Sequence, residues 1–176
     1  MICEINLIMS LIDKMVNEYK GKIGTISGIS NWFKIDQEII NSFADITMDN
    51  QFIHIDNERA IKETPFGSTI AHGFLILSLS TKFFVDSIDP IKNEKMGINY
   101  GFNKIRFVNP VKCNDKIRGV FKLKNVEIRS ESNILFDICF CNSAHIQCPT
   151  FITLVLAKYN EIPLAEKAQT IPNGIR

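Results

Sequence analysis

Residues 71–85 contain the apolar segment that most limits how this chain can fold. Large apolar side chains recur around the helix that it would form, at Phe74, Leu75, Ile76, Leu77, Leu79, Phe83, Phe84 and Val85. A helix that is apolar on nearly all sides is typically buried. The segment is also too short to cross a bilayer, which takes ~20 residues. We therefore predict a helix over about 71–85 that the rest of the fold must cover.

The second half of the chain is predicted to form β-strands that cover this helix, because its apolar residues recur at every second position. Apolar and charged residues alternate over 116–128, and apolar residues share one face over 133–141. A third strand is predicted over 150–159, in the interior of a sheet because it is apolar on both faces. A fourth is predicted over 100–107.

The first half reads mainly as helices. Amphipathic spacing predicts a helix over 4–20, and Asp36 and Asp56 are good N-caps for helices over about 37–47 and 57–62. Residues 21–31 are predicted to be a loop, followed by a short strand over 32–35. A sheet wrapped around one hydrophobic helix covers it economically, which indicates an α+β fold of the hot-dog kind. Periodicity alone does not separate this fold from other α+β packings.

Composition indicates one domain with a substantial core, since 45% of the 176 residues are hydrophobic. We expect an N-terminal helix over 1–20, a single domain over 21–160 and a tail over 161–176. The net charge of +1 argues against a broad nucleic-acid surface. We expect no signal peptide, no membrane span and a cytoplasmic location, because neither a basic start nor a long apolar run occurs.

The cysteines give little sign of a metal site. Their number is odd, at 5, and they do not form the paired doublets of a zinc site. Cys139 and Cys141 would share one face of a strand, but a metal ion would need two further ligands there. We therefore expect neither a bound metal nor another resident cofactor.

Two short blocks carry the chemistry that the sequence suggests. Asp49 and His54 lie close together in the chain, and Ala71-His72-Gly73 opens the apolar segment. Alone, Asp49 is typical of a turn and His54 of a hydrogen-bonded, half-buried histidine. Together with a free N–H at a helix start, they are the groups needed to move water on or off a carbon near a thioester carbonyl.

These blocks resemble the MaoC-like hydratases, the (R)-specific enoyl-CoA hydratase group of hot-dog proteins. The resemblance extends over about 20–160 and includes Phe43 to Asp49, His54 to Ala60, Pro65 to Leu75 and Asn99 to Val111. The last three blocks are similar to the branch of nodulation protein N. The resemblance implies a homodimer or higher homo-oligomer that hydrates trans-2-enoyl thioesters reversibly by syn addition.

The resemblance also implies roles for particular residues. The catalytic pair falls on Asp49 and His54, and the backbone N–H that polarises the thioester carbonyl falls on Gly73. A hydroxyl that supports Asp49 would be Ser78, Ser80 or Thr81. Substrate-binding positions fall on Gln51, Ala71, His72, Ser78, Tyr100 and Gly101. His72 is open to a second interpretation, as a structural residue beside the Gly73 turn.

The implied substrate is an acyl thioester of coenzyme A or of an acyl carrier protein, whose pantetheine arm arrives with the substrate. Arg59, Lys62, Lys104 and Arg106 are candidates to meet its phosphates, or are ordinary surface charges. Nucleic acid and membrane are not expected partners.

Two positions depart from the family pattern. Met48 stands where members usually have glycine before the catalytic aspartate, and Met would be strained if that turn needs a positive φ. Gln51-Phe52 stands where the hydratases usually have Asn-Pro. These departures support a non-catalytic acyl-thioester binding protein as an alternative. A hot-dog thioesterase is a further alternative, although 71–85 lacks the acidic residue that many such enzymes carry on the central helix.

Overall fold

The computed structural model describes residues 13–90, 97–107, 109–130, 133–142 and 150–158. Residues 13–20 form helix α1. The elements that follow are β1 (Ile26–Ile29), β2 (Phe33–Lys34), α2 (Gln37–Thr47), α3 (Phe52–Ile55), α4 (Asn57–Glu63), α5 (Gly73–Ser78), α6 (Ser80–Val85), β3 (Asn99–Lys104), β4 (Lys116–Ile117), β5 (Gly119–Ser130), β6 (Asn133–Asn142) and β7 (Thr150–Lys158). Among these helices, none is long and apolar enough to cross a membrane.

A five-stranded antiparallel sheet in the order β1-β5-β6-β7-β3 forms one layer of the fold. The predicted run of antiparallel strands in the second half is confirmed, and β7 occupies an interior position, as its apolar faces indicate. β3 lies at one edge and β1 at the other. A second, two-stranded sheet pairs β2 with β4.

The helix caps follow the sequence closely. The Asp36 carboxylate accepts from the N–H of Ile39 at the start of α2, and the Asp56 carboxylate accepts from the N–H of Arg59 at the start of α4. Both are N-cap bonds that satisfy an amide lacking an intrahelical acceptor. The predicted helices over 37–47 and 57–62 are therefore confirmed to within one residue.

The central apolar segment is helical, but it is divided and begins later than predicted. Ala71 and His72 precede α5, and Leu79 joins α5 to α6 while remaining in the right-handed helical region. Leu79 N–H donates to the carbonyl of Leu75 at 3.2 Å, and Phe83 N–H donates to that of Leu79 at 3.0 Å. The two pieces are thus nearly one continuous helix.

Burial of this helix is one-sided in the single chain. Leu75, Ile76, Leu77 and Phe83 are buried, whereas Phe74 and Val85 are 64% and 71% exposed. The expectation of burial on nearly all sides therefore needs correction for one subunit.

The core lies between this central helix and the sheet. Its fully buried members include Ile35, Ile40, Phe83, Ile117 and Phe121. Gly119 on β5 allows α6 to approach closely, because a Cβ at that position would lie 2.6 Å from the Cβ of Phe83.

One local prediction is wrong, and one element was missed. Residues 26–29, expected within a loop, form β1 and pair with β5. The short helix α3 was not predicted either. Strand predictions over 32–35 and 100–107 are correct in kind but too long, since β2 and β3 end at Lys34 and Lys104. The parts of the predicted N-terminal helix before residue 13 and the tail over 161–176 lie outside the described residues.

Candidate active site

Asp49 follows a left-handed turn at the end of α2. Met48, the C-cap residue, has φ 59° and ψ 21° and is 83% exposed. This region of backbone conformation is unfavourable for side chains larger than glycine. The turn before Asp49 therefore does use a positive φ, which was the condition for strain at Met48, and a methionine adopts it.

His54 is buried on the short helix α3 and is 6% exposed. Its Nδ1 lies 2.7 Å from the carbonyl oxygen of Ile70. A carbonyl can only accept, so Nδ1 carries the proton and Nε2 keeps a lone pair. The N–H of Ile70 donates in turn to the carbonyl of Ile53 at 3.0 Å. The ring of His54 and the main chain of its neighbour Ile53 are thus both hydrogen-bonded to Ile70.

Gln37 and Thr69 form a polar connection behind His54. The Gln37 amide nitrogen donates to the His54 carbonyl at 2.7 Å and to the Asn41 side chain at 2.8 Å. Its oxygen accepts from the hydroxyl of Thr69, which is fully buried, at 2.5 Å. Sequence reasoning missed both residues, because the contact joins positions far apart in the chain.

His72 touches both members of the candidate pair. Its ring stacks on that of His54 with a centroid distance of 3.7 Å and an interplanar angle of 25°. Its Nε2 lies 2.9 Å from the main-chain oxygen of Asp49. The residue is 2% exposed, so it offers little open surface to a ligand in the single chain.

One potential ligand atom from each of Asp49, His54 and His72 lies within 4.8 Å of the others. The structure therefore brings together the Asp49 and His54 that the sequence analysis singled out. Burial lowers the pKa of His54, the hydrogen bond to Ile70 opposes that shift, His72 lowers the pKa further and Asp49 raises it. The net lowering favours a neutral imidazole beside an exposed carboxylate, an arrangement suited to proton transfer with a water molecule.

The same three residues are a possible metal-ligand set, and their ring geometry weighs against that use. Ligands of one ion must direct their lone pairs to a common point. The His54 and His72 rings are stacked, so their in-plane lone pairs run in nearly parallel planes. The geometry therefore favours acid–base chemistry over metal coordination.

Gly73 is the first residue of α5, so its N–H has no acceptor within the helix. A Cβ at this position would lie 2.8 Å from Cγ of Phe107, whose ring covers the glycine. Phe107 also makes an edge contact with Phe74 at 5.6 Å. Glycine is thus required here for close packing. Phe107 belonged to a block that resembles the family, but no role for it was predicted.

The other predicted site residues occupy three different settings. Exposed Gln51 precedes α3, and its carbonyl accepts from His54 N–H at 2.9 Å. Ala71 is buried and donates to the carbonyl of Val111 at 2.8 Å. Tyr100, 64% exposed, and Gly101 lie on edge strand β3.

The hydroxyls and basic residues are partly engaged elsewhere. Ser78 donates to the carbonyl of Phe74 in its own helix at 2.7 Å. Thr81 accepts from the Asn99 amide at 3.2 Å. Among the described residues, neither hydroxyl is hydrogen-bonded to Asp49. Arg59 pairs with Glu63 at 3.0 Å.

Comparison with known proteins gives consistent results. A family model described as the MaoC like domain matches residues 19–135. Nodulation protein N of Rhizobium leguminosarum bv. viciae is 45% identical over 114 residues, covering 65% of this chain and 71% of that protein. The 3-hydroxyacyl-thioester dehydratase Z of Mycobacterium tuberculosis is 46% identical over 100 residues, covering 57% of this chain and 65% of that protein.

Solved structures support the same fold. The MaoC-like dehydratase from Rhodospirillum rubrum gives a TM-score of 0.63 at 17% identity, covering 80% of this chain and 94% of that one. An unliganded R-hydratase from Pseudomonas aeruginosa gives 0.60 at 21% identity, covering 80% and 89%. These likenesses confirm the hot-dog α+β fold. With the sequence matches, they establish that the chain belongs to the MaoC-like dehydratase family, in the branch of nodulation protein N.

Proposed function

We propose that this protein is an enoyl-thioester hydratase and dehydratase that adds water reversibly to a trans-2-enoyl thioester. The observation that carries the proposal is the 2.7 Å contact of buried His54 Nδ1 with the Ile70 carbonyl, which leaves Nε2 to accept a proton. His54 also belongs to a cluster whose ligand atoms, including one from Asp49, lie within 4.8 Å of each other. A neutral imidazole and a carboxylate at this separation can hold one water molecule between them. Addition to one face of the double bond would give an (R)-3-hydroxyacyl product.

In the proposed hydration, His54 transfers one proton from water to C2 of the substrate. His54 Nε2 takes a proton from water while the water oxygen forms a bond to C3 of the substrate. The double-bond electrons move onto C2 and the thioester carbonyl. The His54 imidazolium then gives this proton to C2. Asp49 accepts a hydrogen bond from the other O–H of the water and orients it, and that hydrogen stays on the oxygen as the 3-hydroxyl of the product. Each general acid–base step of this kind contributes ~10²–10⁴-fold to the rate.

Gly73 would stabilise the charge that develops on the thioester oxygen. Its N–H lies at the helix start and immediately follows His72, which contacts both members of the pair. One oxyanion-hole donor contributes about 3–4 kcal/mol in acyl-transfer enzymes. The nearby Phe107 ring would help to exclude water from this position.

The substrate would be a thioester of coenzyme A or of an acyl carrier protein. The relative named a 3-hydroxyacyl-thioester dehydratase supports this class. A homodimer would complete the site, because the edge strand β3 leaves backbone groups unpaired and exposes Tyr100 and Phe102. Exposed Phe74 would lie in the same contact or line the acyl-binding surface.

The test is loss of the enoyl absorbance of crotonyl-CoA in the presence of the purified protein. We expect Asp49→Asn and His54→Ala each to reduce turnover by ~10²–10⁴-fold while the proteins remain folded. Asp45→Asn is the matched control, since Asp45 is an exposed carboxylate on α2. It should retain wild-type activity.

Other outcomes would support the alternatives. Full activity in either site variant would refute the assigned chemistry. Rapid release of free thiol from an acyl-CoA would indicate a thioesterase. Tight binding of crotonyl-CoA with no turnover would indicate a binding protein.

A further inference from the structure

His72 occupies an unusual place between the two candidate catalytic residues. It contacts the imidazole of His54 through ring stacking and the main chain of Asp49 through a hydrogen bond. We propose that His72 is a positioning residue that holds the carboxylate-bearing turn and the imidazole in register, a role that rests on the proposed hydratase function. Of the two interpretations of His72 from the sequence, substrate contact and a structural role beside the Gly73 turn, this proposal develops the second.

The protonation of His72 follows from its partner. The Asp49 carbonyl can only accept, so the 2.9 Å contact requires the proton of His72 on Nε2. Nδ1 is then an acceptor, and it is buried without a hydrogen-bond partner among the described residues. Burying an unpaired acceptor destabilises the folded state. Phenylalanine would pack in the same place without that cost, so packing alone does not account for a histidine.

The ring stack and the hydrogen bond act on different parts of the pair. Stacking at 3.7 Å limits rotation of the His54 ring and so helps to fix the direction of its Nε2. The hydrogen bond attaches the Asp49 main chain to the segment before α5, immediately after the left-handed Met48. Gly73, the candidate oxyanion donor, is the next residue after His72. One side chain therefore links all three candidate groups.

Two substitutions separate these contributions. His72→Phe keeps an aromatic ring against His54 and removes the donor to Asp49. His72→Gln retains an amide donor that can reach Asp49 and removes the ring. If His72 positions the pair, His72→Phe should lower kcat for crotonyl-CoA hydration by ~10–100-fold, since small misplacements of reacting groups have effects of this size. KM and the thermal unfolding midpoint should change little, and His72→Gln should recover part of kcat.

Phe43→Leu is the matched control. The ring of Phe43 also packs against the ring of His72, with the ring centroids 5.1 Å apart. A phenylalanine side chain has no group that could donate a hydrogen bond. This variant should keep kcat near the wild-type value. Wild-type kcat in His72→Phe would overturn the positioning role. Equal losses of kcat and of folded protein in both His72→Phe and Phe43→Leu would also overturn it in favour of simple packing.

A second measurement does not need turnover. Two-bond ¹H–¹⁵N spectra of the histidine rings report which nitrogen carries the proton in the wild-type protein. We expect His72 to carry it on Nε2 and His54 on Nδ1. A proton on Nδ1 of His72 would exclude the bond to Asp49 and overturn the proposal. If the wild type fails to hydrate crotonyl-CoA, the hydratase function is refuted, while the spectra still decide whether His72 holds Asp49.

Discussion

The two halves of the candidate site are built in opposite ways. His54 is 6% exposed, and its ring, its carbonyl and its neighbour Ile53 are all bonded to other elements. Asp49 is exposed, follows a methionine in a left-handed conformation, and is held by one hydrogen bond to its main-chain oxygen. The imidazole is therefore fixed by several buried contacts, whereas the turn that carries the carboxylate is held, among the described residues, by one hydrogen bond to its main chain.

This difference determines how each half should respond to change. Removing one residue from a buried hydrogen-bond network also destabilises its partners, because their polar groups are left unpaired in a medium of low dielectric constant. An exposed turn can relax into water, so changes there should have small energetic effects. Substitutions behind His54 should thus affect both stability and activity, and substitutions in the Met48 turn should affect mainly stability.

Among the substitutions that leave the catalytic pair and His72 in place, Thr69→Val should have the largest effect. It keeps the side-chain volume but removes the hydroxyl that donates to Gln37, leaving a part-buried amide oxygen unpaired. We expect the free energy of unfolding to fall by about 1–3 kcal/mol. We also expect kcat to fall by ~10-fold through displacement of His54. Urea unfolding and the crotonyl-CoA assay measure these changes.

Ser68→Ala is the control for Thr69→Val. Ser68 is the residue before Thr69 and also carries a hydroxyl. This hydroxyl donates to the Thr69 carbonyl and not to Gln37. The variant should leave kcat unchanged. If Thr69→Val retained wild-type kcat and stability, the Gln37 connection would have no part in fixing His54.

The pH dependence of stability and of kcat/KM should reflect the protonation of His54. Burial lowers the pKa of His54 from its ordinary value of 6.5. Between the lowered pKa and 6.5 the unfolded chain binds more protons than the folded one, so stability falls as pH decreases through this window. The acid limb of kcat/KM, which reports the free enzyme, should therefore also lie below pH 6.5. Chemical unfolding and initial rates between pH 5 and 8 provide the measurement.

Two variants sharpen the pH prediction. Asp49 raises the pKa of His54, so Asp49→Asn should lower the midpoint of the His54 ring signal in an NMR titration. His54→Gln should remove its part of the acid-dependent loss of stability. A His54 midpoint above 6.5 in the wild type would contradict the buried, neutral imidazole.

The sequence predicts well those features that depend on residues close together in the chain. The caps at Asp36 and Asp56, the alternation in β5 and β6 and the positive φ implied at Met48 are all of this kind. The pairing of Asp49 with His54 was also accessible, because family resemblance identified two residues on one short stretch.

Features created by packing between residues far apart in the chain could not be predicted from the sequence in this way. β1 is a strand because β5 supplies its hydrogen-bond partners, and its own Gly- and Ser-rich sequence indicates a loop. The Gln37–Thr69 bond and the contact of Phe107 with Gly73 join segments separated in sequence. Exposure of Phe74 and Val85 differs from the expected burial because an apolar helix pattern does not specify which faces one subunit covers.

Met48→Gly should give the smallest change in the free energy of unfolding, and it should stabilise the protein, whereas Thr69→Val should destabilise it. A left-handed conformation costs roughly 1–2 kcal/mol for a residue with a Cβ. Glycine adopts it freely but loses ~0.5–1 kcal/mol more through its flexible unfolded state. Because Met48 is 83% exposed, little packing is lost. We expect unfolding free energy to rise by ~0.5–1 kcal/mol.

The comparison with Met48→Ala tests the cause of that gain. Alanine removes the exposed side chain but keeps the Cβ, so it should not relieve the backbone. Asn114, at φ 72°, shows that this chain also uses a residue type that tolerates the left-handed region. Equal stabilities of the alanine and glycine variants in urea unfolding would reject backbone strain. A rise in kcat with Met48→Gly would mean that the methionine also displaces Asp49, making the exposed half of the site the one that limits catalysis.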